Sequence, residues 1–150
     1  MSTTPDDTRK YTVVVGLPRR RVSAGALRWA LTEARAHRGT VYAVRAWRVP
    51  RPSATGTRPP LVTADPAAEF EIAEKTLVED VRAVVGDADV VCRLVHGSRR
   101  DVLVDASVRA DLLVVAAPQG TDPLAAPRLV QRLVHEAACP VVVVPLGVRV

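Results

Sequence analysis

The chain has 150 residues and a mass of 16.1 kDa, enough for one buried core and short for two domains. Hydrophobic residues at 48% and charged residues at 25% exclude a disordered chain, and no apolar run approaches the roughly 18 residues a membrane span needs. The net charge of +5 comes almost wholly from arginine, since Lys10 and Lys75 are the only lysines. A GC-rich genome explains an arginine-rich composition in bulk, but a guanidinium also grips oxyanions bidentately, so each arginine is weighed by its position. The polar, acidic start Met1-Ser2-Thr3-Thr4-Pro5-Asp6-Asp7 predicts no signal peptide. Cys92 and Cys139 form no CxxC pair, which predicts free thiols in a cytoplasmic protein.

In chain order, Tyr11-Thr12-Val13-Val14-Val15-Gly16 is a β-branched run and predicts a buried strand. A short basic loop, Leu17-Pro18-Arg19-Arg20-Arg21-Val22, follows. Ser23 is placed to cap a helix whose apolar face is Leu27, Ala30, Leu31 and Ala34, with Gly39 as its stop. Val41 to Trp47 predicts the second strand. Residues 48–64 break the pattern with Pro50, Pro52, Gly56, Pro59 and Pro60, and predict a mobile loop. Asp65-Pro66 is a helix start, a capping acid followed by proline at the first helical position. The helix carries Phe70, Ala73, Leu77, Val81 and Val84 and ends at Gly86. Asp89 to His96 predicts the third strand. Ser98-Arg99-Arg100-Asp101 matches a capping box for a short helix through Val102, Leu103 and Ala106. Leu112 to Ala116 predicts the fourth strand. After a loop at 117–126 comes a helix with Leu129, Val130, Leu133, Val134 and Ala137, which Cys139-Pro140 ends. Val141 to Val144 predicts the fifth strand.

Continuous apolar strands alternating with amphipathic helices predict a parallel sheet covered on both faces. Right-handed crossovers make it a doubly wound α/β sandwich, Rossmann-like, in one domain over residues 1–150 with its core at about 11–145. In such a sheet ligands bind beyond the carboxyl ends of the strands, where strand order reverses. That directs attention to the loops at 17–22 and 117–128.

Several segments together resemble the universal stress protein family: Val13-Val14-Val15-Gly16, Gly25-Ala26-Leu27-Arg28-Trp29-Ala30, Val44-Arg45-Ala46-Trp47, His96-Gly97-Ser98, Asp111-Leu112-Leu113-Val114-Val115, and the stretch from His135 to Val144. The resemblance implies a five-stranded parallel sheet of order 3-2-1-4-5, of the adenine-nucleotide-hydrolase-like type. It also implies a stress-associated binding or regulatory role without catalysis. ATP-binding members carry an aspartate at the end of strand one, where this chain has Pro18. They also carry Gly-x2-Gly-x9-Gly-[Ser/Thr] after strand four. Here those positions fall on Ala116, Gln119, Pro127 and Arg128, with Gly120 the one alternative for the second glycine. Prolines remove N–H donors and a Cβ closes the backbone to phosphate. The expectation is therefore that ATP is not bound in the family's usual manner and that no cofactor is assured.

The alternative is an altered nucleotide or other anion held by arginines in the crevice between strands one and four. Its candidate residues are Gly16, Pro18, Arg19, Arg20, Arg21 and Ala46 on one side. On the other are Ala116, Gln119, Gly120, Pro127 and Arg128. Arg99 and Arg100 follow strand three, two strands away, and read as helix-end surface charge. The basic stretch Arg45, Arg48, Arg51 and Arg58 suits nonspecific contact with nucleic acid. Aromatic residues at 3% and the lack of a recognition motif exclude a dedicated reader.

Enzyme signatures are missing: the chain has no Gly-x-Ser-x-Gly elbow, Walker A or GxGxxG loop. His135 and Cys139 are too few for a metal, and Asp101 with Asp105 reads as a cap and a solvated face. A phosphorelay receiver needs an acidic pocket where Leu17-Pro18-Arg19 stands. Val141, Val142, Val143 and Val144, at the sheet edge, predict a homodimer through the last strand. A protein partner is allowed, a membrane is not.

Overall fold

The computed structural model describes residues 9–19, 21–48, 65–117 and 128–145. Strand and helix alternate as β1 (Thr12–Leu17), α1 (Ala24–Ala36), β2 (Thr40–Trp47), α2 (Pro66–Val85), β3 (Val90–His96), α3 (Arg99–Ser107), β4 (Leu112–Ala116), α4 (Arg128–Glu136) and β5 (Val141–Val144). The strands form one five-stranded sheet in the order β3-β2-β1-β4-β5, and every pairing is parallel. This is the doubly wound sheet expected from the sequence, in the strand order that the family resemblance implies.

Two layers of core explain the strand sequences. Val13, Val15 and Leu17 of β1 point toward α1 and α2, where they meet Leu27, Ala30, Leu77 and Val81. Val14 points the other way and joins Val44, Leu103, Leu113, Val115 and Leu133 in a second cluster under α3 and α4. A strand buried on both faces reads as a continuous apolar run, which is why β1 and β4 stand out in the sequence.

The helix ends follow local chemistry, with two departures from expectation. Asp65 accepts a hydrogen bond from the Ala67 N–H and Pro66 opens α2, as the Asp-Pro pair predicts. Gly86 ends that helix in the left-handed region, at φ 63°. Ser98 caps α3 by accepting from the Asp101 N–H at 3.1 Å. Ser23 does occupy the N-cap of α1, but its side chain makes no cap bond; its carbonyl instead accepts from the Leu27 N–H. Gly39 is not the left-handed residue that ends α1; Arg38 is, at φ 54°. Gly39 is needed for a different reason: a Cβ there would overlap the Tyr11 carbonyl, which the Thr40 N–H bonds at the start of β2.

The proline-rich excursion expected at 48–64 lies outside the described residues except for Arg48. So do Arg20 and most of the loop after β4, including Gln119, Gly120 and Pro127.

Candidate functional site

The carboxyl ends of β1, β2 and β3 build the crevice. Gly16 lets α3 come close to β1: a Cβ there would lie 2.6 Å from Leu103 Cδ1 and 3.2 Å from Val115 Cγ1. Beyond Leu17 the chain turns at Pro18 and Arg19. That turn is held by Arg45, a charged residue only 4% exposed. Its Nε donates to the Pro18 carbonyl at 2.9 Å and one terminal nitrogen donates to the Arg21 carbonyl at 3.1 Å. The other terminal nitrogen meets Asp80 Oδ2 on α2 at 3.0 Å. Arg45 therefore does not belong to an exposed basic stretch. It takes the inward slot that follows Val41 and Ala43 along β2, and fixes the loop that carries Arg19 and Arg21.

The ends of β2 and β3 are fixed by a small aromatic cluster. Phe70 of α2 stacks on His96 with ring centroids 4.5 Å apart. Trp47 stands edge-on to both, at 5.3 Å and 5.0 Å. The Gly97 N–H donates to the Trp47 carbonyl at 3.1 Å and extends the parallel ladder by one step. This sets the positions of Arg48, just after β2, and Arg99, the first residue of α3.

Between these ends lies a cavity of about 250 Å³, lined by Leu17, Arg19, Ala46, Arg48, Gly97, Ser98 and Arg99. Among the described residues its walls carry three arginines and no carboxylate. Arg19 braces the mouth by donating to the Arg48 carbonyl at 3.2 Å. Arg99 Nε is buried and has no hydrogen-bond partner among the described residues, and burial lowers the pKa of this guanidinium. A buried donor without an acceptor is costly, and desolvation disfavours the charged form of the guanidinium.

Of the sequence candidates, Arg19 and Ala46 line this cavity. Gly16 lies beneath α3, and Pro18 and Arg21 contribute carbonyls to Arg45. Ala116 ends β4 beside Val144, and Arg128 begins α4 as an exposed residue. Neither of these lines the cavity. Arg99 is the residue that sequence reasoning misplaced: it is not simple helix-end charge, because the pocket spans the ends of three adjacent strands. Arg100 does behave as surface charge, paired with Glu136 of α4 at 2.7 Å and 2.6 Å.

A larger groove of about 900 Å³ opens alongside α3, over Tyr42, Val44, Arg93 and Val95. Asp101 and Asp105 sit on its rim. No cluster of three metal-ligating side chains occurs among the described residues. Both thiols are free, and burial pushes their pKa values up, away from thiolate reactivity.

The model of the family described as the universal stress protein family matches residues 11–145. No curated protein matches. Among solved structures, the chain is similar to a universal stress protein in complex with cAMP, with TM-score 0.63 and 22% identity over 93% of this chain and 100% of that one. It is similar to the Archaeoglobus fulgidus universal stress protein in complex with dAMP, with TM-score 0.58 and 20% identity over 90% of this chain and 98% of that one. An Arabidopsis thaliana family protein with AMP bound gives TM-score 0.53 and 17% identity over 90% of this chain and 91% of that one.

Proposed function

We propose a function on one premise: the chain belongs to the universal stress protein family, whose model it matches from residue 11 to residue 145. It acts as a stress-associated, non-catalytic binding module of the cytoplasm, and works as a homodimer paired through β5. Its strand-end crevice takes a small anionic ligand of the nucleoside monophosphate class, without a cradle for the ATP triphosphate.

The observation that carries this reading is the charge at the strand ends. Arg19, Arg48 and Arg99 line one cavity, with no acid among the described residues of its walls. The solved structures named with cAMP, dAMP and AMP supply the ligand class. Where an aspartate would face an adenosine, the chain has Pro18, whose carbonyl already serves Arg45. Ala116 and Arg128 replace a glycine and a hydroxyl residue around the loop after β4. The first adds a Cβ where the backbone would lie open to phosphate, and the second removes a hydroxyl.

The test is acid extraction of the purified protein for bound nucleotide, with calorimetric titration of AMP, cAMP and ATP. AMP or cAMP is expected to bind at micromolar concentration, and ATP no tighter than AMP. ATP binding ten times tighter than AMP would overturn the missing cradle. Silence with all three would leave a protein-interaction module without nucleotide.

A further inference from the structure

We propose that the phosphate of the ligand sits at the turn between β3 and α3, on Arg48 and Arg99, and not on the loop that follows β4. This rests on the crevice reading above and deepens it.

Three independent features meet in this cavity. The first is cationic crowding. Arg19 and Arg48 are exposed at the mouth and Arg99 is half-buried in the wall. Like charges gathered with no counter-ion among the described residues repel, and a bound oxyanion removes that repulsion. The second is Arg99 itself, which lines the cavity and whose Nε has no hydrogen-bond partner among the described residues. A guanidinium presents its donors in a fixed fork that suits two oxygens of a phosphate. The third is the shape of the turn. Gly97 has φ 139°, a conformation L side chains rarely adopt. It carries the chain from β3 into α3 so that Ser98 and Arg99 face the same cavity as Arg48. The Ser98 hydroxyl and carbonyl serve the Asp101 and Val102 N–H groups, and Arg99 enters as the first helical residue.

Size narrows the ligand class. Sites that enclose a drug-sized molecule run from roughly 300 to 1,000 Å³, and this cavity is about 250 Å³. It accommodates a phosphate head and leaves the remainder of a nucleotide outside. Arg128 begins α4 and does not line it, so the two ends of the crevice make opposite predictions.

The experiment titrates AMP, adenosine and inorganic pyrophosphate into the wild type and into Arg99→Gln, Arg48→Gln and Arg128→Gln, with thermal melts to confirm folding. A lost charge-assisted hydrogen bond is worth about tenfold or more in affinity. Arg99→Gln and Arg48→Gln are expected to weaken AMP at least about tenfold and adenosine less than twofold, with Arg128→Gln unchanged. Arg99→Lys keeps the charge but not the fork, and should recover only part of the loss. Pyrophosphate competing with AMP assigns the site to phosphate itself; adenosine competing equally well would overturn that assignment.

If wild type binds AMP but only Arg128→Gln weakens it, the phosphate lies at α4; the present inference fails and the crevice reading stands. If all variants bind AMP like the wild type, the inference also fails. If the wild type binds none of the probes, both fall together. Should the Arg99 variants melt early, amide shifts of Gly97 and Ser98 on adding pyrophosphate to the wild type decide the matter: movement there supports the site, and movement confined to the start of α4 overturns it.

Discussion

Arg45 shows how one side chain can couple the core to the site. Three of its donors bind three partners: two carbonyls of the β1–α1 turn and a carboxylate of α2. Its side chain is 5% exposed while that of Asp80 is 32% exposed, so removing the arginine does not strand a fully buried acid. The cost comes from the two carbonyls and from lost charge-assisted bonds. Arg45→Met keeps the apolar stem and is expected to destabilise the protein by about 2–3 kcal/mol. Urea denaturation would show a lower midpoint with an unchanged slope. A midpoint equal to that of the wild type would mean that the turn holds itself. The sequence did carry a sign of this role. Val41, Ala43 and Arg45 share one face of β2, so a charge in the third slot must be buried or must break the alternation. Reading it as one of several basic residues missed that sign, because charge was counted along the chain and not by face.

At the scale of elements, α3 is short, and its nine residues would not form a stable helix alone. It is held at both ends and in the middle. Ser98 caps it, Leu103 packs where Gly16 leaves room, and the buried Ser107 hydroxyl donates to the Val104 carbonyl while accepting from the Ala138 N–H. Arg100 and Glu136 add an ion pair to α4. The hydrogen bond and charge of Arg100 hold the Glu136 carboxyl below its ordinary value of 4.5. A lowered carboxylate pKa contributes stability above the unfolded value, and that stability is lost as pH falls through the folded value. The melting temperatures of wild type and Arg100→Gln should therefore differ at pH 7 and converge as pH falls below 4.5 and through the lowered value of Glu136, with the gap at pH 7 shrinking in high salt. A gap that does not shrink as the pH is lowered below 4.5 would assign the effect to packing. The cap of α3 was legible because a serine three residues before an acid has a local meaning. The meeting of Arg48, Arg99 and Arg19 was not, since it depends on how three parallel strands end side by side in space.

For the whole molecule, the nine elements of the described residues could be read from the alternation of periods, because burial on both faces of a parallel sheet writes itself as uninterrupted apolar runs; the strand order came from the family resemblance, since periodicity does not say which strands are neighbours. Boundaries moved by a residue where a backbone contact, such as that of Gly39 with Tyr11, decides the geometry. The same sheet also has two unlike edges. At one, β3 exposes Arg93 and His96, and a charge on an edge discourages pairing with another chain. At the other, β5 is Val141-Val142-Val143-Val144 without a charge, joined to β4 on one side only among the described residues. Val142 and Val144 pack into the α1-side core and Val141 into the opposite one, while Val143 stays 37% exposed. Pairing with a second copy about a two-fold axis would let each β5 satisfy the other's backbone groups. Sedimentation equilibrium at micromolar concentration is expected to give twice the 16.1 kDa chain mass. Val143→Lys places a charge on the edge without opening the core, and should shift the equilibrium to monomer with a normal far-ultraviolet spectrum. A wild-type monomer under these conditions, or a Lys variant that dimerises as tightly as the wild type, would rule out pairing through β5.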